Sequence, residues 1–218
     1  MTELVPAILT NDVSDFRKKY SELFVLSHYF NKLHIDFADN EFVNNKTIMP
    51  ADLQFLKSSS LTLMAHFMTY DPKQYFKDCA KAGFKFVFFH FEAFDNERQI
   101  NETIKAAEDL GLAPGLAINP DTPLYKAAKL IQKMNLIQIM GIRPGFQGLE
   151  FMPSTINRIK ELRALGKNAI ICVDGGIKVG IAKQCAKAGA DMLVAGSAIV
   201  RSQNEVTAIE ALKADVET

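Results

Sequence analysis

The sequence predicts a parallel eight-stranded (β/α)8 barrel, an α/β fold of the TIM-barrel type, on three observations. Short apolar runs recur at 4–9, 32–38, 62–68, 84–90, 113–119, 136–142, 169–175 and 192–198, each followed by a longer segment with helical spacing. Glycine stops end several of these segments, as Ala82-Gly83, Leu110-Gly111, Leu165-Gly166 and Ala188-Gly189-Ala190-Asp191, and feed the next apolar run. The units take up the 218 residues, leaving no linker, low-complexity stretch or remainder for a second domain. Such alternation favours a parallel sheet, because parallel neighbours need a crossover between them. An open doubly wound sheet also fits the pattern; eight units favour closure, and one catalytic domain over residues 1–218 is expected.

The runs differ in what they carry. The first holds Pro6-Ala7-Ile8-Leu9. The second, Leu33-His34-Ile35-Asp36-Phe37-Ala38-Asp39, alternates so that His34, Asp36 and Ala38 share one face while Leu33, Ile35 and Phe37 form an apolar face suited to packing under helices. The third ends in His66-Phe67-Met68, with His66 and Met68 on the same face. Lys73 to Gly83 then reads as a helix with a broad apolar stripe of Tyr75, Phe76, Cys79, Ala80 and Ala82. The fourth run, with Phe86-Val87-Phe88-Phe89, reads as a core strand ending at His90. The fifth ends at Asn119, the sixth carries Met140, the seventh ends at Asp174, and the eighth leads into Gly196-Ser197.

Composition narrows the function. Lysine plus arginine equals aspartate plus glutamate at 25 each, which gives no electrostatic reason for a nucleic-acid or membrane-surface partner and favours a small-molecule substrate. The three cysteines, Cys79, Cys172 and Cys185, have no CxxC spacing and sit in apolar or helical contexts, as expected of buried thiols in a reducing, cytoplasmic compartment. Neither a signal-like start nor a run near the ~18 apolar residues of a membrane span is present. A homo-oligomer is compatible with the sequence.

In a barrel of this kind the reacting groups lie at the C-terminal ends of strands and in the loops that follow. That rule gathers His34, Asp36, Asp39, His66, His90, Asn119 and Asp174 at one mouth. His34, Asp36, His66 and Asp174 make a set of two imidazoles and two carboxylates that suits one divalent Zn, Fe, Mn or Co ion and does not suit calcium. A histidine by itself is more often a satisfied structural residue, and His28, in the polar segment Ser27-His28-Tyr29, is read that way. Three glycine turns follow late strands: Arg143-Pro144-Gly145-Phe146-Gln147-Gly148, Asp174-Gly175-Gly176-Ile177 and Ala195-Gly196-Ser197-Ala198. Glycine lets backbone N–H groups approach phosphate oxygens, and the loops after strands seven and eight often hold a phosphate in these barrels. Met68 and Met140 are either core packing or walls of the site.

With these residues assembled, the chain resembles the ribulose-phosphate 3-epimerase family over nearly its whole length. The matching segments are Pro6-Ala7-Ile8-Leu9, His34-Ile35-Asp36, Phe42-Val43-Asn44-Asn45, His66-Phe67-Met68, Gly115-Leu116-Ala117-Ile118-Asn119-Pro120-Asp121-Thr122-Pro123, Pro144-Gly145-Phe146, Val173-Asp174-Gly175-Gly176-Ile177 and Ala188-Gly189-Ala190-Asp191. The resemblance implies a metal held by His34, Asp36, His66 and Asp174, with Asp36 and Asp174 doubling as the acid/base pair. It implies substrate and phosphate contacts from His66, Gly145, Phe146, Gln147, Gly148, Gly175, Gly176, Gly196 and Ser197, and an active-site roof from Met68 and Met140. The implied reaction interconverts ribulose 5-phosphate and xylulose 5-phosphate through a cis-enediolate, with the ion as Lewis acid and two bases on opposite faces of the reacting carbon.

The chain departs from the family pattern mainly on the substrate side. Ala7 replaces a serine, Ala38 a methionine, Asn40 a glycine and Asn44 a proline, and the loop usually read as Gly-Phe-Gly-Gly-Gln is Gly145-Phe146-Gln147-Gly148-Leu149. Epimerisation of another ketose phosphate, such as allulose 6-phosphate, and a catalytically impaired phosphosugar-binding barrel are the alternatives. The decarboxylases and aldolases of a related barrel would need Asp-x-Lys-x-x-Asp in the second strand, and Asp36-Phe37-Ala38-Asp39 has no lysine.

Overall fold

Strands that are apolar on both faces must be covered on both, and a closed barrel wrapped in helices does this. The computed structural model describes residues 2–165 and 168–217. Its strands are β1 (Glu3–Ile8), β2 (Lys32–Ala38), β3 (Thr62–Met68), β4 (Phe84–His90), β5 (Ala113–Ile118), β6 (Leu136–Met140), β7 (Ile170–Asp174) and β8 (Met192–Ala195). They close in chain order into a barrel in which all neighbours pair in parallel, β8 returning to β1. The helical segments are α1 (Val13–Val25), α2 (Phe76–Ala82), α3 (Glu97–Glu108), α4 (Ala128–Ile131), α5 (Thr155–Leu165), α6 (Ile181–Ala188), α7 (Ser197–Val200) and α8 (Glu205–Glu217). No helix among the described residues is long and apolar enough to cross a membrane.

The period-two pattern sorts side chains between two cores. Leu33, Ile35 and Phe37 of β2 point outward into a helix-covered core with Phe67, Phe76 and Phe89, the Phe37 and Phe67 rings stacking at 5.3 Å. Removing one of these buried rings costs roughly 3–5 kcal/mol. Inside the barrel, Val5, Ala7, Met64, Phe88, Leu136, Cys172, Met192 and Val194 fill the lower part. Phe88 is the bulkiest of these and sits beside Gly115, where a Cβ would come within 2.5 Å of its ring. The glycine on β5 therefore makes the space that the phenylalanine on β4 occupies. All three cysteines are buried and free, and burial raises their thiol pKa values.

Several expected elements change in detail. After β2 comes a 3₁₀ segment, Pro50–Ser58, instead of an α-helix: Pro50 opens it, and Leu53 and Leu56 are buried three residues apart, the repeat of that tighter helix. The eighth run ends as a strand at Ala195, and Ser197 and Ala198 begin α7, because Gly196 leaves the extended region at φ −91°, ψ −90°. Its apolar content could not separate a buried strand from a buried helical turn. Helix 73–83 starts as a 3₁₀ turn and becomes α2 at Phe76. Gly83 and Gly189 cap α2 and α6 with φ of 90° and 110°, as their glycine stops require; Gly166 of the Leu165-Gly166 stop lies outside the described residues. Asp191 of Ala188-Gly189-Ala190-Asp191 is a structural tie: it accepts from Ile171 N–H at 2.7 Å and pairs with Arg163 of α5.

Gly115→Ala is expected to lower stability by about 1–3 kcal/mol, because the added methyl meets Phe88 and Leu136 in a filled barrel. Urea unfolding of the two proteins checks this, and an unchanged midpoint would contradict the packing argument.

Candidate active site

Alternation in β2 aims His34 and Asp36 into the barrel, and the parallel registers place Asp36 beside His66 of β3 and Met140 of β6 beside Asp174 of β7. His34, Asp36, His66 and Asp174 converge in one buried group whose ligand atoms all lie within 4.8 Å of one another. His66 Nδ1 is 2.8 Å from Asp36 Oδ1 and 3.3 Å from Asp174 Oδ2. His34 Nε2 lies 3.3 Å and 3.7 Å from the same two oxygens. The four residues singled out in sequence are thus brought together, through the ends of three strands.

Two carboxylates buried this closely need positive charge. Burial by itself would raise the Asp36 carboxyl, but the close polar contacts of His34 and His66 and their charge hold it far below the usual carboxylate range. Burial would likewise lower His66; hydrogen bonds to Asp174 and Asp36 outweigh it and push its pKa up to about 9. A proton on His66 therefore supplies the charge that a cation would bring. The donor set fits a divalent ion: His34 Nε2 is buried, has no hydrogen-bond partner and faces both carboxylates. Mixed imidazole nitrogen and carboxylate oxygen is the chemistry of Zn, Fe, Mn or Co sites.

Around this group lies a second layer that sequence reasoning resolved only in part. Gln138 of β6, fully buried, donates from Nε2 to Asp174 Oδ2 at 3.0 Å. It escaped notice, although a polar residue between Leu136 and Met140 on the inward face of an apolar strand was the available signal. His90, expected at the mouth without a role, sits behind His66 with Nε2 2.9 Å from His66 Nε2. Glu92, just past β4, was not foreseen; its Oε1 accepts from Asn119 N–H at 2.9 Å, so Asn119 serves the loop after β5. Asp39 also has a loop role, its Oδ1 accepting from Glu41 N–H at 2.9 Å. His28 is exposed, packs against Tyr29 with tilted rings, and is not part of the cluster.

A pocket opens above the group, lined by Asp36, His66 and Asp174, by Met68 and Met140, by the turn Gly145-Phe146-Gln147-Gly148, and by Gly175, Gly176, Gly196 and Ser197. Leu9, Ile142, Pro144 and Ile177 complete it. Gly175 and Gly176 have φ of 99° and 71°, and a Cβ on Gly176 would come within 2.8 Å of Phe151, so this turn needs both glycines. The free space is about 30 Å³, room for one or two waters. Gln147 narrows it: its carboxamide lies where a Cβ on Gly196 would be, 2.3 Å from Nε2. An adjoining hollow of about 380 Å³ shares Gly148, Gly176, Ile177 and Ser197 and adds Leu149 and Lys178.

The substituted positions differ in where they fall. Ala7 and Ala38 are buried, and neither lines the pocket; Ala7 belongs to the interior packing below. Leu149 is exposed and lines only the outer hollow. Asn40 takes a left-handed φ of 70°, a conformation asparagine tolerates better than most residues, which explains how it stands in for glycine. Nothing in the structure explains Asn44.

A closed parallel barrel with an imidazole–carboxylate cluster at its C-terminal mouth, ringed by glycine turns, defines the class of (β/α)8-barrel enzymes that work at that end. Within that class, the chain belongs to the ribulose-phosphate 3-epimerase family, whose sequence profile matches residues 3–200. It is 34% identical to a ribulose-phosphate 3-epimerase of Serratia marcescens over 202 residues, covering 90% of this chain and 94% of that one. An Escherichia coli relative of the same name is 31% identical, with 98% of this chain and 95% of that one covered. Among solved structures, the barrel is similar to KGPDC from Streptococcus mutans (TM-score 0.77, 16% identity, 99% of this chain and 97% of that chain). Orotidine 5'-phosphate decarboxylase from Pyrococcus horikoshii gives a TM-score of 0.67 at 16% identity, covering 99% of each chain. At these identities the two structures show the shared fold alone.

The raised His66 pKa has a measurable consequence in chelator-treated protein. The stability contributed by the His66 proton is fully present below its ordinary value of 6.5 and is lost as pH rises through about 9. In that window the urea midpoint is expected to fall, and saturating Zn²⁺ is expected to remove the fall, since ligation takes the deprotonated imidazole. A midpoint that rises without metal over the same window would contradict this electrostatic picture.

Proposed function

We propose that this protein epimerises ribulose 5-phosphate at carbon 3, giving xylulose 5-phosphate, with Asp36 and Asp174 as the acid/base pair and a divalent ion held by His34, Asp36, His66 and Asp174. The observation that carries the proposal is that two carboxylates, one from β2 and one from β7, reach a single buried point under Met68 and Met140. Family membership and the names of the relatives support the substrate.

Epimerisation beside a carbonyl needs a proton removed from one face of a carbon and another delivered to the opposite face. Asp36, kept ionised by its imidazole neighbours, is ready to accept the first proton. Asp174 supplies the second, with Gln138 fixing the oxygen Oδ2; in the reverse direction the roles exchange. A divalent ion held in the cluster supplies positive charge to the negative charge that develops on the substrate's oxygens. Met68 and Met140 provide a soft, apolar wall that excludes water from the reacting carbon. Gly145, Phe146, Gln147, Gly148, Gly175, Gly176, Gly196 and Ser197 form the phosphate end of the site. Gln147, with its carboxamide against Gly196, narrows this end of the site.

Asp36→Asn and Asp174→Asn are each expected to cut turnover by at least about 10³-fold, because a single remaining carboxyl cannot serve both faces. Far-ultraviolet circular dichroism should show both variants folded; near-normal turnover in either would remove the acid/base assignment.

Wild-type protein loaded with Zn²⁺ or Mn²⁺ is expected to exchange the carbon-3 hydrogen of ribulose 5-phosphate for deuterium in heavy water, with exchange lost after chelation. Proton NMR follows the signal. Allulose 6-phosphate run in parallel tests whether Gln147 and Leu149 have moved the preference to a longer sugar, and exchange with neither substrate would defeat the proposal.

A further inference from the structure

Two buried polar atoms behind the cluster, His90 Nδ1 and Glu92 Oε2, remain without an assigned task. His66 presents Nδ1 to the two carboxylates and Nε2 to His90 Nε2 at 2.9 Å. His90 Nδ1 faces Glu92 Oε2 at 3.4 Å, and neither atom has a hydrogen-bond partner elsewhere among the described residues. Glu92 is fixed from its other oxygen, which accepts from Asn119 N–H. The Phe42 ring covers His90, with centroids 4.8 Å apart.

These contacts specify proton positions. Two imidazole nitrogens 2.9 Å apart need one donor and one acceptor. A carboxylate can only accept, so Glu92 favours the His90 proton on Nδ1 and leaves His90 Nε2 with a lone pair. That lone pair then accepts from His66 Nε2–H, so the proton His66 can yield is the one on Nδ1, shared with Asp36 at 2.8 Å.

We propose that Glu92 and His90 are positioning residues: Glu92 holds His90 in the Nδ1–H tautomer, and His90 Nε2 accepts from His66 Nε2–H, so that Nδ1 is the nitrogen His66 offers at the point shared by Asp36 and Asp174. The inference rests on the reading of that cluster as a divalent-cation site only for its consequence in binding; the His90 tautomer is a property of the metal-free chain. An outer partner of this kind orients a metal-binding imidazole, and losing it typically weakens metal affinity by about 10–100-fold.

Glu92→Gln separates this role from simple packing. It keeps the shape and the acceptor for Asn119 N–H, but turns an NH₂ towards His90 Nδ1. His90 would then carry its proton on Nε2, opposing the His66 Nε2–H. His90→Phe deletes the acceptor, whereas His90→Gln offers a carboxamide oxygen that restores it.

Two measurements on the full-length variants test the proposal, with circular dichroism and thermal melts to establish folding. Zn²⁺ affinity, read by competition with a chromophoric chelator, is expected to weaken about 10–100-fold in Glu92→Gln and His90→Phe and to recover to within a few-fold in His90→Gln. Two-bond ¹⁵N–¹H spectra of metal-free protein at pH 7 should show the Nδ1–H tautomer of His90 in the wild type and its loss in Glu92→Gln. If Zn²⁺ fails to bind the wild type while the tautomer behaves as stated, the cation reading fails and the positioning role stands. If folded Glu92→Gln keeps the wild-type His90 tautomer, the proposal is overturned. Misfolding of His90→Phe would leave Glu92→Gln to decide it by the same spectra.

Discussion

Two carboxylates held at one buried point are the constraint around which the upper half of this barrel is built. Asp36 and Asp174 both approach His66 Nδ1, and no lysine or arginine among the described residues lines the pocket to neutralise them. Like charges buried together repel strongly, so the group needs a proton or a cation between its members. The histidines serve either state: His66 binds a proton tightly when no cation is there, and His34 already points an unpartnered nitrogen at the same place. Binding chemistry and folding stability are therefore coupled at this point, because whatever supplies the positive charge also relieves the strain of burying the negative ones.

Such a group must be held still, and the packing beneath it does this. Phe88 spans the barrel interior, stacks near His34 with ring centroids 6.0 Å apart, and fits only because β5 carries Gly115 at the neighbouring position. Gln138 anchors Asp174 from the side. Above the group the construction differs. Val43 and Asn45, from the loop after β2, meet Gly145 of the loop after β6, with Asn45 Nδ2 donating to Gly145 O at 2.6 Å. Those loops, with exposed Phe146 and Leu149, carry Asn40, Asn44, Gln147 and Leu149 of the departures from the family pattern; Ala7 and Ala38 lie in β1 and β2, and the four residues of the cluster carry none. The cluster thus sits on strands, whereas much of the pocket above it is built by loops.

Legibility followed the same division. β2, β3 and β4 begin and end where the apolar runs placed them, because an alternating or continuous apolar stretch bounded by polar residues reads directly as a buried strand. The eighth run was read too long, since Ala198, Ile199 and Val200 are as apolar in a helical turn as in a strand. His34, Asp36, His66 and Asp174 could be picked out because charged and imidazole side chains are rare among apolar strand residues. Gln138 and Glu92 were not, because a neutral amide or a carboxylate beyond a strand end looks like ordinary surface until its burial is known. Gln147 was visible as a replaced glycine, but its position against Gly196 belongs to a contact between loops about fifty residues apart in the chain.

The sequence by itself determined the alternation of strands and helices, the side chains that face inward, and the donor types available at the mouth, since each depends on local periodicity and residue chemistry. Only the tertiary structure decided which donors meet, which nitrogen of His66 faces the carboxylates, and that His90 and Glu92 stand behind it. Those facts depend on barrel closure and on register between strands far apart in sequence, where a shift of one residue would turn Asp36 or Asp174 out of the barrel.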